Sequence, residues 1–269
     1  MVNYILYRGG WVFSGEPHCE VQLTEYQANR ILSGGGYLLR NCYDFDCKEP
    51  TSFWYLIKDT YQGSSEYSKK INKYIEKAHA KFDIRLISRE MMCEQGLNVM
   101  TAAYNNYTVH EYKLPDKKQW LKEINGYDDS IDFWGCVDRE TGLLQAYSIC
   151  KRNKDSVSLQ SSKVNPAFLP KYYPMYGLYD ARNRYYLQEK RYKYVITSAR
   201  SITQHSHIQE FMIDKMNFRK AYAHMKVYYR PSIRLLVNLL YPFRRIIPIR
   251  RVRILLYQEA MSRDELRDE

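Results

Sequence analysis

The sequence predicts an α/β (α+β) fold, a mixed central sheet flanked by helices with a β-rich N-terminal extension. Three observations predict it. Helical stretches with polar caps alternate with short apolar runs over residues 64–229. Two of those runs, Phe133–Val137 and Leu143–Cys150, are joined by Asp138-Arg139-Glu140-Thr141-Gly142, a length suited to an antiparallel hairpin. Two later helices, one after Pro174 and one at Ser206, join strand-like runs and so read as crossovers between parallel strands.

The elements follow in order. Residues 1–60 read as strands around one helix, Leu23–Leu32, which stops at Ser33-Gly34-Gly35-Gly36. A phosphate loop follows a strand and opens a helix. This glycine run follows a helix and precedes the strand at Tyr37–Leu39, so it reads as a C-cap and turn. Phe53–Ile57 is a second strand. A helix opening at Ser64-Ser65 puts Tyr67, Ile71, Tyr74, Ile75 and Ala78 on one face and Lys69, Lys70, Lys73 and Lys77 on a solvated one. Phe82–Ile87 is a strand. Ser88 then opens a helix through Met92, Val99, Met100 and Ala103 to Tyr107, and residues 116–125 make a short helix with Trp120, Leu121 and Ile124. Beyond the hairpin, Ser156–Gln160 alternates polar and apolar. A loop from Asn165 to Pro174, a helix through Leu178, Tyr179, Tyr185 and Tyr186, and the strand Tyr192–Ile196 come next. Ser206 and Gln209 form a capping box for a helix that lines up Ile208, Phe211, Met212 and Met216, and Phe218–Tyr229 holds the last strand. The expected division is an extension at 1–60, a main domain at 61–230 and a basic helical segment at 231–269.

Composition bounds the function. With 269 residues and 45% of them hydrophobic, the chain can bury a core, and 27 tyrosines supply amphipathic packing and binding surface. The start lacks the apolar core of a secretory signal, and no apolar run is long enough to span a bilayer. Cys19, Cys42, Cys47, Cys93, Cys136 and Cys150 are scattered without CxxC spacing, which fits reduced thiols in a cytoplasmic protein. His18-Cys19 with Cys42 and Cys47 lack metal-ligand spacing, so no metal is expected. A formal charge of +11 points to an acidic partner: nucleic acid, an anionic membrane or a phosphorylated small molecule. No nucleic-acid module signature accompanies it.

The element order, with Phe133-Trp134-Gly135-Cys136-Val137-Asp138, Thr141-Gly142 and the closing Ile208-Gln209-Glu210-Phe211 … Lys215-Met216-Asn217-Phe218-Arg219-Lys220-Ala221-Tyr222, resembles the GNAT superfamily of acyl-CoA N-acyltransferases, in its FemAB-like variants. The resemblance covers about Ser64 to Tyr229. It implies transfer of an acyl group, in the simplest case acetyl from acetyl-CoA, to an amine such as an amino sugar or another cell-envelope precursor. It also implies donor binding along Leu159, Gln160 and Ser161 and at Lys171, Tyr172 and Gly177, with no metal. Two departures stand out. The loop that carries Arg/Gln-x-x-Gly-x-Gly/Ala in the superfamily is here Pro170-Lys171-Tyr172-Tyr173-Pro174-Met175-Tyr176-Gly177, with one glycine and two prolines that donate no N–H. Ile213 stands where many members have a tyrosine that protonates the leaving thiolate.

Ligands of mixed sheets occupy clefts at the carboxyl ends of parallel strands. The carboxyl end of Tyr192–Ile196 is Thr197-Ser198-Ala199-Arg200-Ser201-Ile202-Thr203-Gln204-His205, which offers hydroxyls, a guanidinium and an imidazole before a helix N-terminus. The catalytic candidates are His205 as base, with Ser198, Arg200 and Glu210, and with Asp138 and Glu140 as reserve carboxylates. Turn and cap duty is the competing reading of the hydroxyls. Two alternatives stand beside acyl-CoA transfer. One is a FemAB-like transferase using aminoacyl-tRNA, which the charge permits; the other is a catalytically degenerate binding protein of the same fold. In residues 231–257, arginines alternate with Ile and Leu, and Pro242 and Pro248 interrupt any span. This segment either lies on an anionic membrane surface, as a peripheral protein would, or packs on the sheet with its arginines in water, or meets a protein partner.

Overall fold

The computed structural model describes residues 4–107, 113–202 and 207–266, with His207 described in its backbone only. The chain opens with a hairpin of β1 (Tyr4–Tyr7) and β2 (Gly10–Phe13). Arg8 and Gly9 close it at φ 49° and 83°, the left-handed backbone that a two-residue turn between twisted strands requires. α1 (Glu25–Leu32) begins in a capping box between Thr24 and Gln27. The glycine run is a turn, as expected, leading into β3 (Leu38–Tyr43), and β4 (Phe53–Lys58) follows. A helix start at Ser64 is corrected. Residues 63–66 form one 3₁₀ turn, and α2 (Lys69–Lys81) begins after Ser68, whose Oγ accepts from the Ile71 amide. That start brings Ile71, Ile75 and Ala78 onto the buried face.

β5 (Phe82–Ile87) precedes α3 (Arg89–Asn105), capped by Ser88, and α4 (Lys117–Gly126), capped by Asp116 and Gln119 in a second box. β6 (Ile131–Asp138) and β7 (Leu144–Arg152) form the expected hairpin, and β8 (Ser156–Val164) pairs antiparallel to β7. α5 (Leu169–Tyr172) and α6 (Pro174–Asn183) meet at Tyr173, and α6 runs on into a π-helical turn over Arg184–Glu189. β9 (Tyr194–Ala199), α7 (His207–Met216), β10 (Arg219–Tyr229), α8 (Pro231–Leu240) and α9 (Arg250–Ser262) complete the chain. The Ser206 half of the expected capping box lies outside the described residues.

The chain forms two compact units. One comprises Ile57–Thr197 and Ile208–Arg219. Its strand order is β9-β8-β7-β6-β5, antiparallel except for the parallel pair β8–β9. Trp120 and Ile124 of α4 and Met92 and Val99 of α3 pack with Phe133, Tyr147 and Ile149 on one face of the sheet. α2 and α6 cover the other, where the Cys136 thiol donates to the Pro174 carbonyl at 3.5 Å.

The second unit gathers Met1–Leu56, Ser198–His207 and Lys220–Glu269. Its strand order is β1-β2-β3-β10-β4, with β2 parallel to β3 and β10 antiparallel to it. α8 and α9 supply Val237, Leu256, Ala260 and Met261 to its main core beside Met225 and Val227 of β10, while Ala28 and Leu32 of α1 pack with Leu39 and Tyr228. β10, the strand after α7, lies between β3 and β4. Burial raises the pKa of Glu20, although its carboxylate accepts from Tyr4, Asn41 and the Cys42 amide at 2.8–3.0 Å. None of the six cysteines is bridged, and burial pushes Cys42 up to about 12 and Cys150 up to about 11.

The β6–β7 turn depends on Asp138. Its buried carboxylate accepts from the Glu140 and Thr141 amides at 2.9 and 3.4 Å and faces Lys81 Nζ at 3.2 Å. Burial alone would raise its pKa, but the amides and the ammonium outweigh it and hold the carboxyl below its ordinary value. A depressed carboxyl adds stability that is present at neutral pH and is lost as pH falls below about 4. Asp138→Asn is expected to cost about 1.5–3 kcal/mol at neutral pH and much less at about pH 3. Urea denaturation at both pH values measures the difference, and an equal cost at both would contradict this account.

Candidate functional site

In the first unit the parallel pair β8–β9 is short. Ser156, Val157 and Ser158 pair with Tyr194, Val195 and Ile196, and no further pair forms. β8 itself continues to Val164, bound to β7 on its other edge. Ile149 faces Ser161 and Cys150 faces Leu159, so Gln160 is the extra residue of a β-bulge. The bulge bends β8 at the point where β9 stops following it. Among the described residues, 159–164 therefore have no strand on that side, which leaves a backbone edge with donors and acceptors.

In the same unit the helices form an apolar groove of about 340 Å³. Leu169, Tyr173, Met175, Tyr176 and Tyr179 line it from α5 and α6, and Ile208 and Phe211 from α7. The rings brace one another. Tyr74 of α2 stacks on Tyr173 at 3.8 Å, and Tyr176 meets both Tyr74 and Phe211 edge-on at 5.2 and 5.0 Å. Lys70 and Lys77 of α2 lie 5.9 and 5.6 Å from the Tyr74 and Tyr173 ring centres, and Lys171 lies 5.0 Å from Tyr172. The rim is thus cationic and the wall aromatic. Burial, and then the neighbouring Tyr74, raise the pKa of Tyr173 and Tyr176, so both hydroxyls are neutral donors near pH 7.

A polar network runs beneath the groove. The Tyr179 side chain interacts with Ser162 of β8, whose Oγ is 2.7 Å from that of Ser148. Arg182, one turn along α6 and fully buried, lies 4.5 Å from the Tyr179 ring centre. Its Nε and Nη1 have no hydrogen-bond partner among the described residues. A buried guanidinium with two unmet donors leaves a positive field under Tyr179. Burial raises the Tyr179 pKa and the charge of Arg182 offsets part of that rise.

α6 carries a second cluster that the sequence analysis missed. Tyr61 donates to Asp180 at 2.8 Å, and His79 Nε2 lies 4.0 Å from the other Asp180 oxygen. Burial raises the Asp180 pKa and lowers that of His79, so burial holds the imidazole toward its neutral form. Tyr61, His79 and Asp180 stand 119 residues apart at their extremes and share no motif, so no sequence signal could have joined them.

The residues singled out from the sequence fall in different places. Leu159, Gln160 and Ser161 are on the open part of β8. Lys171 and Tyr172 close α5 beside the groove. Gly177 is buried inside α6, where a Cβ would lie 2.6 Å from Ala78 Cβ and from Ile84 Cδ1; its smallness lets α6 approach α2 and β5. The start of α6 offers little to a phosphate. Tyr173 is in the left-handed region, Pro174 has no N–H, and the Tyr176 amide already bonds the Tyr173 carbonyl at 3.0 Å. Glu210 is exposed on α7 and interacts there. Asp138 and Glu140 both pair with Lys81. Ser198 and Arg200 belong to the other unit, where Arg200 Nη1 donates to the Ser52 and Leu266 carbonyls at 2.9 and 2.7 Å, a structural task. His205 lies outside the described residues. Of the residues considered for a metal, His18 and Cys19 group with Glu16, and Cys47 groups with Asp44 and His224.

No family model matches the chain, and no curated protein matches it. Solved structures do. FemX aligns over 80% of this chain and 77% of its own at 7% identity, with a TM-score of 0.57. The chain shares the fold of FemX. A conserved protein of unknown function from Bacteroides thetaiotaomicron VPI-5482 aligns over 72% of this chain at 9% identity (TM-score 0.47). A GCN5-related N-acetyltransferase from Sphaerobacter thermophilus aligns over 78% at 10% (TM-score 0.40). The chain spans 63% and 59% of the length of these two, less than two thirds of each. A mixed sheet flanked by helices is thus common to this chain and FemX, at an identity that carries no residue-by-residue correspondence.

The packing role of Gly177 can be tested against a phosphate-binding role. Gly177→Ala is expected to cost about 1–3 kcal/mol, because the Ala78 Cβ, fixed on the α2 backbone, can move only with its helix. Chemical denaturation measures that cost. An alanine variant with unchanged stability would show that the close approach of α6 to α2 is not constrained at this position.

Proposed function

We propose that this chain is an acyltransferase that moves an acyl group, acetyl in the simplest case, from an acyl-CoA thioester to an amine, with an amino sugar or other cell-envelope precursor as the acceptor class. One observation carries this reading: the open edge of β8 after Ser158, with Tyr179 interacting with Ser162 on that edge. An extended donor arm fits such an edge as an added strand would. The cationic rim at Lys70, Lys77 and Lys171 suits the donor's phosphates, and the aromatic wall suits its apolar parts. The α6 N-terminus does not fit a pyrophosphate cradle, so the lysines take that duty. Fold likeness alone fixes no substrate.

The chemistry asks little of the protein. The neutral amine's lone pair forms the C–N bond at the thioester carbonyl, and the oxyanion that develops is met by N–H groups of the β8 edge. The C–S bond then breaks, the Tyr179 O–H gives its proton to the departing sulfur, and the substituted ammonium returns a proton through solvent to the tyrosinate. Tyr179 would in this way replace the tyrosine whose position Ile213 occupies. The buried charge of Arg182 stabilises the tyrosinate formed in that step.

A second reading has its own observation. With Pro174 lacking an N–H and the Tyr176 amide already bonded, an aminoacyl-tRNA donor, held by its phosphates on the basic surface, needs no pyrophosphate cradle. Thermal melting separates the two. Acetyl-CoA at about a hundredfold excess over its dissociation constant should add about 2.7 kcal/mol of stability. No shift with any acyl-CoA, beside a salt-sensitive shift with aminoacyl-tRNA, would move the assignment to the second donor. No shift and no turnover with either would leave a binding protein. Once a donor is found, Tyr179→Phe should lower kcat by about a hundredfold or more with little change in KM. An unaltered kcat would remove Tyr179 from the mechanism.

A further inference from the structure

We infer that α8, the turn after it and the start of α9 form a docking surface for an anionic lipid bilayer. Both sides of α8 are apolar. Val237 is buried in the core of its unit, with Ile233 and Leu240 packed against the same core. Leu235 and Leu239, two residues to either side of Val237 and so on the opposite face, are 72% and 67% exposed. These leucines share the exposed surface of α8 with Arg234 and Asn238, the pattern of an interfacial helix. The chain continues the exposed stripe through Phe243, Ile246 and Ile249, at 54%, 76% and 60% exposure. Packing on the sheet is therefore not what these side chains do. Isolated exposed apolar residues need no explanation, but five large ones in succession along one segment do.

Charge decides the occupant. No acidic residue occurs between Asp214 and Glu259. Arg234, Arg245, Arg250, Arg251 and Arg253 are exposed within that interval, and Arg244 pairs with Glu265 at 2.8 Å. Apolar side chains bordered by arginines match a bilayer surface whose phosphates lie just outside its acyl region. Among the described residues no helix is long and apolar enough to cross a membrane, and Pro242 and Pro248 interrupt this segment, so the contact is one of lying on the surface.

Flotation of the full chain with phosphatidylcholine vesicles, with and without phosphatidylglycerol, tests the inference. The expected result is binding only to vesicles that carry phosphatidylglycerol, reversed by high salt. Changing Arg245, Arg251 and Arg253 together to Gln should weaken it on the order of a hundredfold, at about fivefold per arginine. Leu235→Glu with Leu239→Glu should abolish binding and leave the melting temperature unchanged, since both residues are exposed. Absence of flotation at low salt would overturn the inference, as would equal binding to neutral vesicles. A dimer in solution that the two Glu substitutions dissolve, without flotation, would overturn it in favour of a second copy of the chain.

Discussion

Three residue pairs hold β9 to β8, and then the strands part. Most of what is distinctive in that unit follows from this short pairing. A parallel pair that stops early leaves the remainder of one strand with donors and acceptors to be met, and the bulge at Gln160 falls just past the last pair. α6 then has to close the sheet beneath the opening. It does so by lying against α2 and β5 with no Cβ at Gly177, and this seating puts Tyr179 within reach of Ser162.

The electrostatics of the opening are set by the same helix. The start of α6 gives up most of the anion affinity a helix N-terminus ordinarily has, because a proline and an internal turn bond use its amides. Positive charge is supplied elsewhere, by lysines on the rim and by one arginine below the floor. The rim charges are solvated and screened by salt, whereas Arg182 acts at close range through a medium of low polarity. In the proposed function the first kind of charge would hold the donor, and the second would stabilise a negative charge that appears only during reaction.

How much was legible in the sequence depended on the range of the interaction. Caps at Thr24, Ser88 and Asp116 and the β6–β7 hairpin are local, and each was written in adjacent residues. The parallel pairing of β8 with β9 was also legible, since a helix between two strands leaves little choice. Ser64-Ser65 misled because two serines three and four residues early satisfy the same pattern as the true cap, Ser68. The composition of the two units was not legible. β10 joins β3 across more than 170 residues, and nothing in the alternation of Phe218–Tyr229 names a partner. Gly177 looked like part of a phosphate loop and is a packing contact; Arg200 looked like a site residue and holds main-chain carbonyls. Both cases need the third dimension, because a glycine or an arginine has the same letter in either role.

The claim on which the account rests is that the open edge of β8 holds the acyl donor. Amide hydrogen exchange read by mass spectrometry, with and without acetyl-CoA, tests it most directly. The account predicts slowed exchange at residues 159–164, with the unit that holds α8 and α9 unchanged. Bound donor that leaves those amides exchanging at their free rate, or that protects only the other unit, would contradict it.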